Sequence, residues 1–475
     1  MHPRRSFFLS LLALSLAVGT ARAESIRIAI GTQDTTINTV HAGLLIRELG
    51  LLDRYLPHDG KYAGATYDVV WKNFTSGPPL TGEMVAGKLD LGSLGDFPSV
   101  LNAVAFARQG SRSVYLATLS GSALGGGNGL VVPVDSPAQS LGDLRGKQIS
   151  VPFGSAAYGM LLRAIRDLGW DPEKDVTLIS QSPEVGGTAL RSHKIDAHAD
   201  FVPFAELFPF RGYARKIYDG ASVKVPTSHG LVGRGAFVDE HPALVVAVLR
   251  AMLEADRLLA ADPETQSELV QKVAGVDAPV VYMFHGPLGI QTRDFSIKPE
   301  VRRSLQVAYD TLTLLRRADA PLDVNRWIDD RFIRLAAKES GLDYEARLRR
   351  RDPLPLAGKD ARSGEPIRDA HLAAQIWVQG EKKVRAYTGA ASAFQALAEL
   401  EKQGQRARVV YAHDRESGTK LLAEHAFYVA ATSGKTRALS AFLTRAAAES
   451  WARAHGGEVL DFGAARRAAT ALASL

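Results

Sequence analysis

Strand-like and helix-like segments alternate along the first half of this chain, and that alternation restricts the fold more than any other feature. Residues 26–30 have the pattern of a strand, and residues 40–56 carry leucines at helical spacing. A second strand pattern covers residues 67–71, a short helix follows at 79–87, and a third strand begins near residue 89. This β-α-β-α order predicts a parallel sheet with helices on both faces.

A glycine-rich break at residues 121–129 separates this series from a second one. The second series predicts a strand at 148–152, a helix at 156–168 and a strand at 176–179. A phosphate-binding loop is the alternative interpretation of the glycines, but no Lys-Ser/Thr pair follows them. The break therefore favours a crossing between two α/β lobes, which places a ligand cleft at the hinge.

The amino terminus has the pattern of an export signal. Arg4 and Arg5 precede an apolar run at residues 6–19, and residues 21–23 form Ala-x-Ala, which signal peptidase accepts. The run is shorter than the roughly 20 residues that a spanning helix needs. The pattern predicts cleavage after Ala23 and a periplasmic protein; an uncleaved anchor is the alternative.

Composition excludes several classes of function. The chain has no cysteine, so disulfides and thiol chemistry are excluded. Its formal charge is +6, from 57 Lys and Arg against 51 Asp and Glu, and the basic residues are scattered. A nucleic-acid surface normally clusters such charge on one face, so no nucleic-acid partner is expected.

Small polar residues stand where predicted strands give way to helices. Ser76 and Gly77 precede a proline-initiated helix, Gly95 and Asp96 follow the third strand, and Ser155 begins the helix of the second series. Helix amino termini offer free N–H groups and partial positive charge, so these positions suit an anion. Plain helix capping is the alternative interpretation.

Four segments in order, residues 74–77, 86–98, 141–155 and 195–197, resemble the nitrate, sulfonate and taurine class of periplasmic solute-binding proteins, which also includes thiamine-pyrimidine-precursor-like binders. The resemblance covers roughly residues 25–340. It implies a two-lobed periplasmic binding protein fold of type II, no catalysis and no cofactor. The implied partners are a small-molecule ligand and the permease subunits of an ABC transporter, through which alone the protein would touch the inner membrane.

The resemblance also implies a set of ligand-binding residues. They are Gln33, Asp34, Ser76, Gly77, Gly95, Asp96, Gly154, Ser155, Tyr158 and Phe201. Ala156 and Ala157 stand where the sulfonate-type proteins usually carry a polar residue, which favours a partly apolar ligand.

The carboxyl-terminal segment, about residues 365–465, resembles the NosL family of copper-binding lipoproteins. Its pattern predicts a small α+β domain with strands at 408–413 and 426–431 and helices at 390–402 and 437–455. Copper(I) selects thiolate and thioether ligands, and this segment has neither Cys nor Met. We therefore assign no metal; His413 and His425 are the weak candidates.

The predicted organisation is a signal peptide at 1–23, a solute-binding domain at 24–345, a linker at 346–364 and a NosL-like domain at 365–475. The predicted function is capture of a small anionic or organosulfur or nitrogen-containing solute (a sulfonate, taurine or nitrate-like molecule) for import. The alternative is a periplasmic accessory or copper-chaperone-like factor for metalloenzyme maturation. An enzyme of the same fold, such as a pyrimidine-precursor synthase, would need a catalytic His or Cys constellation. Because the histidines are dispersed, we expect a protein that is not an enzyme.

Overall fold

The computed structural model describes residues 25–350, 354–433 and 436–471; the predicted signal segment lies outside the described residues. The strands are β1 Ser25–Thr32, β2 Thr66–Asn73, β3 Leu91–Gly95, β4 Ser113–Ser122, β5 Gly129–Pro133, β6 Gln148–Val151, β7 Thr177–Ser180, β8 Ala197–Asp200, β9 Ala214–Asp219, β10 Thr227–Arg234, β11 Thr292–Arg293, β12 Ala374–Val378, β13 Arg385–Tyr387, β14 Ala407–His413, β15 Lys420–Leu422, β16 Phe427–Ser433, β17 Thr436–Phe442 and β18 Glu458–Leu460. The helices are α1 Leu44–Glu48, α2 Gly77–Val85, α3 Asp96–Arg108, α4 Ala156–Asp167, α5 Pro183–Arg191, α6 Phe204–Phe210, α7 Gly235–Glu240, α8 Pro242–Ala261, α9 Pro263–Ala274, α10 Ala278–His285, α11 Pro299–Leu314, α12 Val324–Trp327, α13 Arg331–Glu339, α14 Tyr344–Arg349, α15 Ala390–Lys402, α16 Arg445–His455 and α17 Phe462–Ala471.

The first lobe is built on a six-stranded sheet in the order β11-β4-β10-β3-β1-β2. Strand β1 pairs in parallel with β2 and β3, as the alternating pattern predicts. Ile28 and Ile30 are fully buried, which is typical of a central parallel strand covered on both faces. Strand β10 enters antiparallel between β3 and β4, although it comes much later in the chain.

The second lobe has a five-stranded sheet in the order β7-β6-β8-β5-β9. Strand β6 pairs in parallel with β7 and β8, and β5 joins the sheet antiparallel. The apolar side of α4, with Leu161 and Ile165, is buried in this lobe. The predicted two-lobed α/β fold is confirmed; the antiparallel strands in each lobe were not predicted from the local pattern.

The chain crosses between the lobes after β4 and returns after β9. Gly125 lies in one crossing with φ +93°, and a Cβ there would stand 2.3 Å from the carbonyl oxygen of Val225. A Cβ on Gly220, in the returning segment, would stand 2.2 Å from the carbonyl oxygen of Gly125. The two crossings therefore touch backbone to backbone, which glycine alone allows. This contact explains the glycine-rich break as a hinge.

The carboxyl-terminal domain has a four-stranded sheet, β13-β12-β14-β15, and a three-stranded sheet, β17-β16-β18, packed with α15, α16 and α17. The predicted helix at 390–402 is confirmed by α15. The predicted helix at 437–455 is wrong in its first part, because β17 pairs with β16 over Phe427–Ser433 before α16 begins at Arg445. In the described residues, every helix is too short or too polar to cross a membrane.

This domain is seated on α10 of the solute-binding region. Tyr282 packs against Trp377 and Tyr411 with ring centroids 5.5 and 5.8 Å apart, and its hydroxyl oxygen accepts a hydrogen bond from Nε2 of Gln375 at 3.0 Å. The fully buried Lys420 donates from Nζ to the carbonyl oxygen of Pro287 at 2.7 Å. Since these side chains are buried on both sides, the appended domain is packed onto the rest of the protein as a core is packed.

Candidate functional site

A cavity of about 60 Å³ lies between the two lobes, on the cleft side of the hinge. Each lobe contributes part of its wall. The first lobe supplies Gln33, Thr36, Ser76, Gly77, Pro78, Gly95, Pro98 and His229. The second supplies Pro152, Phe153, Ser155, Ala156 and Phe201. A space of this size holds roughly four to six water molecules and therefore suits a small ligand.

Helices from both lobes begin at this cavity. Ser76 is the N-cap residue of α2, but its hydroxyl makes no capping hydrogen bond. Ser155 is the N-cap residue of α4, and its Oγ accepts a hydrogen bond from the backbone N–H of Tyr158 at 3.2 Å. Both hydroxyls keep a proton to donate, so the two serines can bind an acceptor from opposite lobes.

The first lobe adds further polar groups. Nε2 of Gln33 donates to the carbonyl oxygen of Ser93 at 2.8 Å, which fixes the side chain at the wall. Thr36 is buried, and its Oγ1 has no hydrogen-bond partner. A buried hydroxyl without a partner is unfavourable, so a bound acceptor at this position would remove a penalty.

His229 adds a neutral donor to the same wall. Burial, and then the neighbouring His41, lower the pKa of His229 to about 4, so the ring is uncharged at neutral pH. Nδ2 of Asn38 lies 3.2 Å from Nδ1 of His229 and 3.4 Å from its Nε2, and the shorter contact has Nδ1 as the acceptor. In this arrangement the ring proton lies on Nε2. That nitrogen faces Gly95, where an added Cβ would stand 3.5 Å from it.

The lining therefore combines neutral donors with apolar surface. None of its thirteen residues carries a formal charge when His229 is neutral. The polar groups come mainly from the first lobe, and Phe153, Phe201, Pro152 and Ala156 give the second lobe an apolar side. Oriented N–H and O–H dipoles in a water-excluded cleft can hold an anion without a cationic side chain.

Six of the ten residues expected from sequence lie together on this cavity: Gln33, Ser76, Gly77, Gly95, Ser155 and Phe201. The structure places the other four elsewhere. Asp34 is paired with Arg47 at 3.1 Å. Gly154 is not part of the wall; it has φ +81°, and its Cβ position is 3.3 Å from Cδ1 of Leu101. The Tyr158 ring stacks on Phe153 with centroids 4.7 Å apart.

Asp96, the fourth of these, begins α3 with its carboxylate turned away from the cavity. Its oxygens accept the backbone N–H groups of Phe97 at 2.8 Å and Ser228 at 3.2 Å. Burial raises the pKa of Asp96 to about 7. The side chain faces a smaller space between the lobes, which is separate from the ligand cavity.

The expected set of site residues leaves out several residues of the wall: Thr36, Pro78, Pro98, Pro152 and His229. The three prolines could have been expected at the site from their position, since each stands within three residues of an expected site residue. His229 could not be singled out among the dispersed histidines, because the register that sets it opposite Gly95 joins strands more than 130 residues apart in sequence.

A Ser-His-Asp arrangement occurs inside the second lobe. Ser150 Oγ lies 2.6 Å from Nδ1 of His198, and Nε2 of that ring lies 2.7 Å from Oδ2 of Asp200. All three residues are fully buried between β6, β8 and α5, so a substrate has no access to the serine. The other oxygen of Asp200 accepts the N–H of Phe201 at 2.8 Å, and the group therefore supports the wall of the cleft.

The histidines of the carboxyl-terminal domain do not form a copper site. His413 is buried with Nδ1 2.7 Å from the carbonyl oxygen of Ala373, and His455 stacks on Trp451 at the end of α16. His425 and Met283 both line one interdomain cavity, so its wall carries two donors of suitable type. Among the described residues, no three His, Cys, Asp or Glu side chains come together to hold a metal ion. The residues present do not fit the copper chemistry that the NosL resemblance suggests.

The fold and the cleft define a two-lobed solute-binding protein of the α/β class. Residues 26–274 match the model of the NMT1-like family, and because this is more than half of the chain, the protein belongs to that family. Residues 369–469 match the NosL family, so the carboxyl-terminal domain is NosL-like, as predicted.

The proteins that this chain is similar to include periplasmic solute-binding proteins. The chain is 26% identical over 279 residues to a putative aliphatic sulfonates-binding protein of Escherichia coli (strain K12), covering 58% of this chain and 81% of that protein. It is 30% identical over 222 residues to the taurine-binding periplasmic protein of the same strain, covering 45% and 65%. The solved structure of the alkanesulfonate-binding protein SsuA from Xanthomonas axonopodis pv. citri bound to MOPS superposes with a TM-score of 0.54 at 23% identity, covering 65% of this chain and all of that one.

Proposed function

We propose that this protein is the periplasmic capture component of an ABC importer and that its ligand is a small organic sulfonate. One observation carries the proposal: both lobes close on a cavity lined with neutral donors and apolar surface. The sulfonate-binding relatives support the class of ligand. A sulfonate group offers three acceptor oxygens, which match the hydroxyls of Ser76, Thr36 and Ser155.

The lining also distinguishes among sulfonates. A ligand with an ammonium group, such as taurine, needs an anionic or strongly accepting partner for its N–H donors. No carboxylate lies among the thirteen lining residues: Asp34 is paired with Arg47, and Asp96 faces the other way. We therefore propose a preference for simple alkanesulfonates over aminoalkanesulfonates. Phe153 and Phe201 would contact the alkyl group.

Isothermal titration calorimetry of the purified protein, with ethanesulfonate, taurine and nitrate compared, tests this proposal. Ethanesulfonate is expected to bind most tightly, and Ser76→Ala to weaken it roughly five- to fifteenfold, as the loss of one hydrogen bond of about 1–1.5 kcal/mol does. Ser136→Ala, at a half-buried serine just after β5 and outside the cavity lining, is the matched control and should bind as the unaltered protein does. Tighter binding of taurine would refute the proposed preference, and failure of all three ligands would refute the ligand class.

We make further proposals about processing, partners and domain organisation. The division at residues 24–345, 346–364 and 365–475, cleavage after Ala23 and docking on permease subunits are consistent with the binding-protein relatives. We propose that the NosL-like domain is a docked interaction module and that the protein catalyses no reaction. The intact mass of the exported protein, measured by mass spectrometry, tests the cleavage site directly.

A further inference from the structure

The lobes meet at a second surface, distinct from the ligand cavity. Helix α4 of the second lobe lies against α3 and α11 of the first. The ring of Phe97 on α3 packs so closely on Gly159 of α4 that a Cβ there would stand 2.2 Å from the ring. We call this contact of α4 with α3 and α11 the α4 seat.

Arg163 extends the α4 seat beyond the glycine. Its guanidinium donates to Oγ1 of Thr311 and to the carbonyl oxygen of Val307, at 3.4 Å, both on α11. The hydroxyl of Thr311 donates a hydrogen bond to the carbonyl oxygen of Val307 at 2.7 Å, so its oxygen is free to accept from Arg163. The second lobe is thus hydrogen-bonded to the first by a charged side chain, and such bonds are among the stronger ones in proteins.

Asp96 faces Arg163 from the first lobe. Both line a small interlobe space of about 20 Å³, together with Asn128, Thr227 and Ser304. The nearby carboxylate opposes the effect of burial, which lowers the pKa of Arg163. When Asp96 is ionised, its attraction to the Arg163 cation acts in a space large enough for about one water molecule, where it is weakly screened.

Helix α4 connects this seat to the ligand. Ser155 and Ala156 at its amino end line the ligand cavity, and Arg163 lies eight residues further along. Those eight residues span about 12 Å of rigid helix. A ligand that draws the amino end of α4 toward the first lobe therefore also brings Arg163 onto α11.

We propose that Arg163 is a positioning residue that latches the lobes in the closed, ligand-retaining state. The inference rests on the proposed capture function, but it concerns closure and not the identity of the ligand. Arg163 touches no part of the ligand cavity, so its effect on binding passes through the lobe–lobe contact.

The test uses the absence of cysteine from the chain. Ser111→Cys in the first lobe and Ser192→Cys in the second, both exposed, take one spin label each, and electron–electron distance measurements report the closed fraction. Arg163→Met is compared with Arg166→Met, an exposed arginine of the same helix. The probe ligand is ethanesulfonate, added at increasing concentration.

Arg163→Met is expected to lower the closed-to-open ratio, and to raise the dissociation rate of ethanesulfonate, by roughly 10- to 100-fold. Arg166→Met should leave both unchanged, and Thr311→Val should reproduce part of the effect without removing a charge. An unchanged distance distribution and dissociation rate in Arg163→Met would overturn the proposal. If ethanesulfonate fails to bind the unaltered protein, the proposed ligand is wrong, and the ligand-free closed fraction of Arg163→Met still decides whether the latch exists.

Discussion

Replacing Gly159 with alanine should weaken closure of the two lobes without lowering the stability of the folded protein. The added Cβ would stand 2.2, 2.7 and 2.9 Å from three carbons of the Phe97 ring. Carbon atoms in contact normally lie 3.5–4.0 Å apart, so the lobes or the ring must give way by more than about 1 Å. Phe97 is buried in its own lobe, which restricts its retreat.

Overpacking of this kind costs about 1–3 kcal/mol, and here the cost falls on the closed state. The dissociation constant for ethanesulfonate is therefore expected to rise roughly 5- to 150-fold. The open state carries no such clash, and alanine improves helix propensity by up to about 1 kcal/mol. The ligand-free variant should consequently unfold at the same temperature as the unaltered protein or slightly higher.

Titration calorimetry and thermal unfolding of the ligand-free protein measure the two effects. Gly82→Ala is the matched control, because Gly82 is also a helical glycine but has open space around its Cβ position. It should bind ethanesulfonate normally. Unchanged affinity in Gly159→Ala would show that the closed lobes tolerate the extra carbon and that the contact with Phe97 does not limit closure.

Three further predictions concern buried groups. Burial lowers the pKa of His229 to about 4 in the folded protein, whereas the unfolded chain binds the proton from about pH 6.5 downward. As the pH falls from 6.5 to 4, the free energy of unfolding of the ligand-free protein should therefore fall by about 3 kcal/mol relative to that of His229→Gln. Urea unfolding measures both values, and a constant difference between them would contradict this. Burial lowers the pKa of Lys420 to about 7, so the lysine contributes less to the free energy of unfolding as the pH falls from about 10.5 toward 7. The free energy of unfolding of Lys420→Met, relative to that of the unaltered protein, should be about 2 kcal/mol higher at pH 7 than at pH 9. An equal difference at both pH values would show that the amine is not desolvated. Copper(I) titration against a competing chelator should give no stoichiometric complex, and a one-to-one complex lost in His425→Asn would overturn the assignment of the domain as metal-free.

The parts of the fold that local patterns control were predictable from sequence. The alternation of buried strands and amphipathic helices predicted both lobes, and the glycine-rich break predicted the crossing between them. Ser76 and Ser155 were found because a small polar residue before a helix is a local signal, and both lie on the cavity. Such features need no knowledge of distant partners.

What sequence could not supply depends on long-range placement. His229 reaches the cleft because β10 pairs with β3 in the first sheet, although the whole second lobe separates these two strands in sequence. Tyr158 lies three residues after Ser155, but its ring is stacked on Phe153 and does not face the cavity. Asp34 followed the first strand as expected, yet Arg47 engages its carboxylate.

The strand β17 shows the same limit in the carboxyl-terminal domain. Alanines and leucines through residues 437–448 favour a helix by local propensity. Pairing with β16 overrides that preference, from Phe442 opposite Phe427 to Thr436 opposite Ser433. Tertiary pairing of this kind determines strand content more than intrinsic propensity does.

Native mass spectrometry of the protein purified from a periplasmic extract shows which molecule the protein carries. One small sulfonate is expected to be retained per chain, to be released on unfolding and to be diminished in Ser76→Ala. A chain that carries no small molecule but binds ethanesulfonate when it is added would still be a sulfonate-capture protein. A chain that carries copper in place of a sulfonate, and fails to bind added ethanesulfonate, would contradict the proposed capture of a sulfonate.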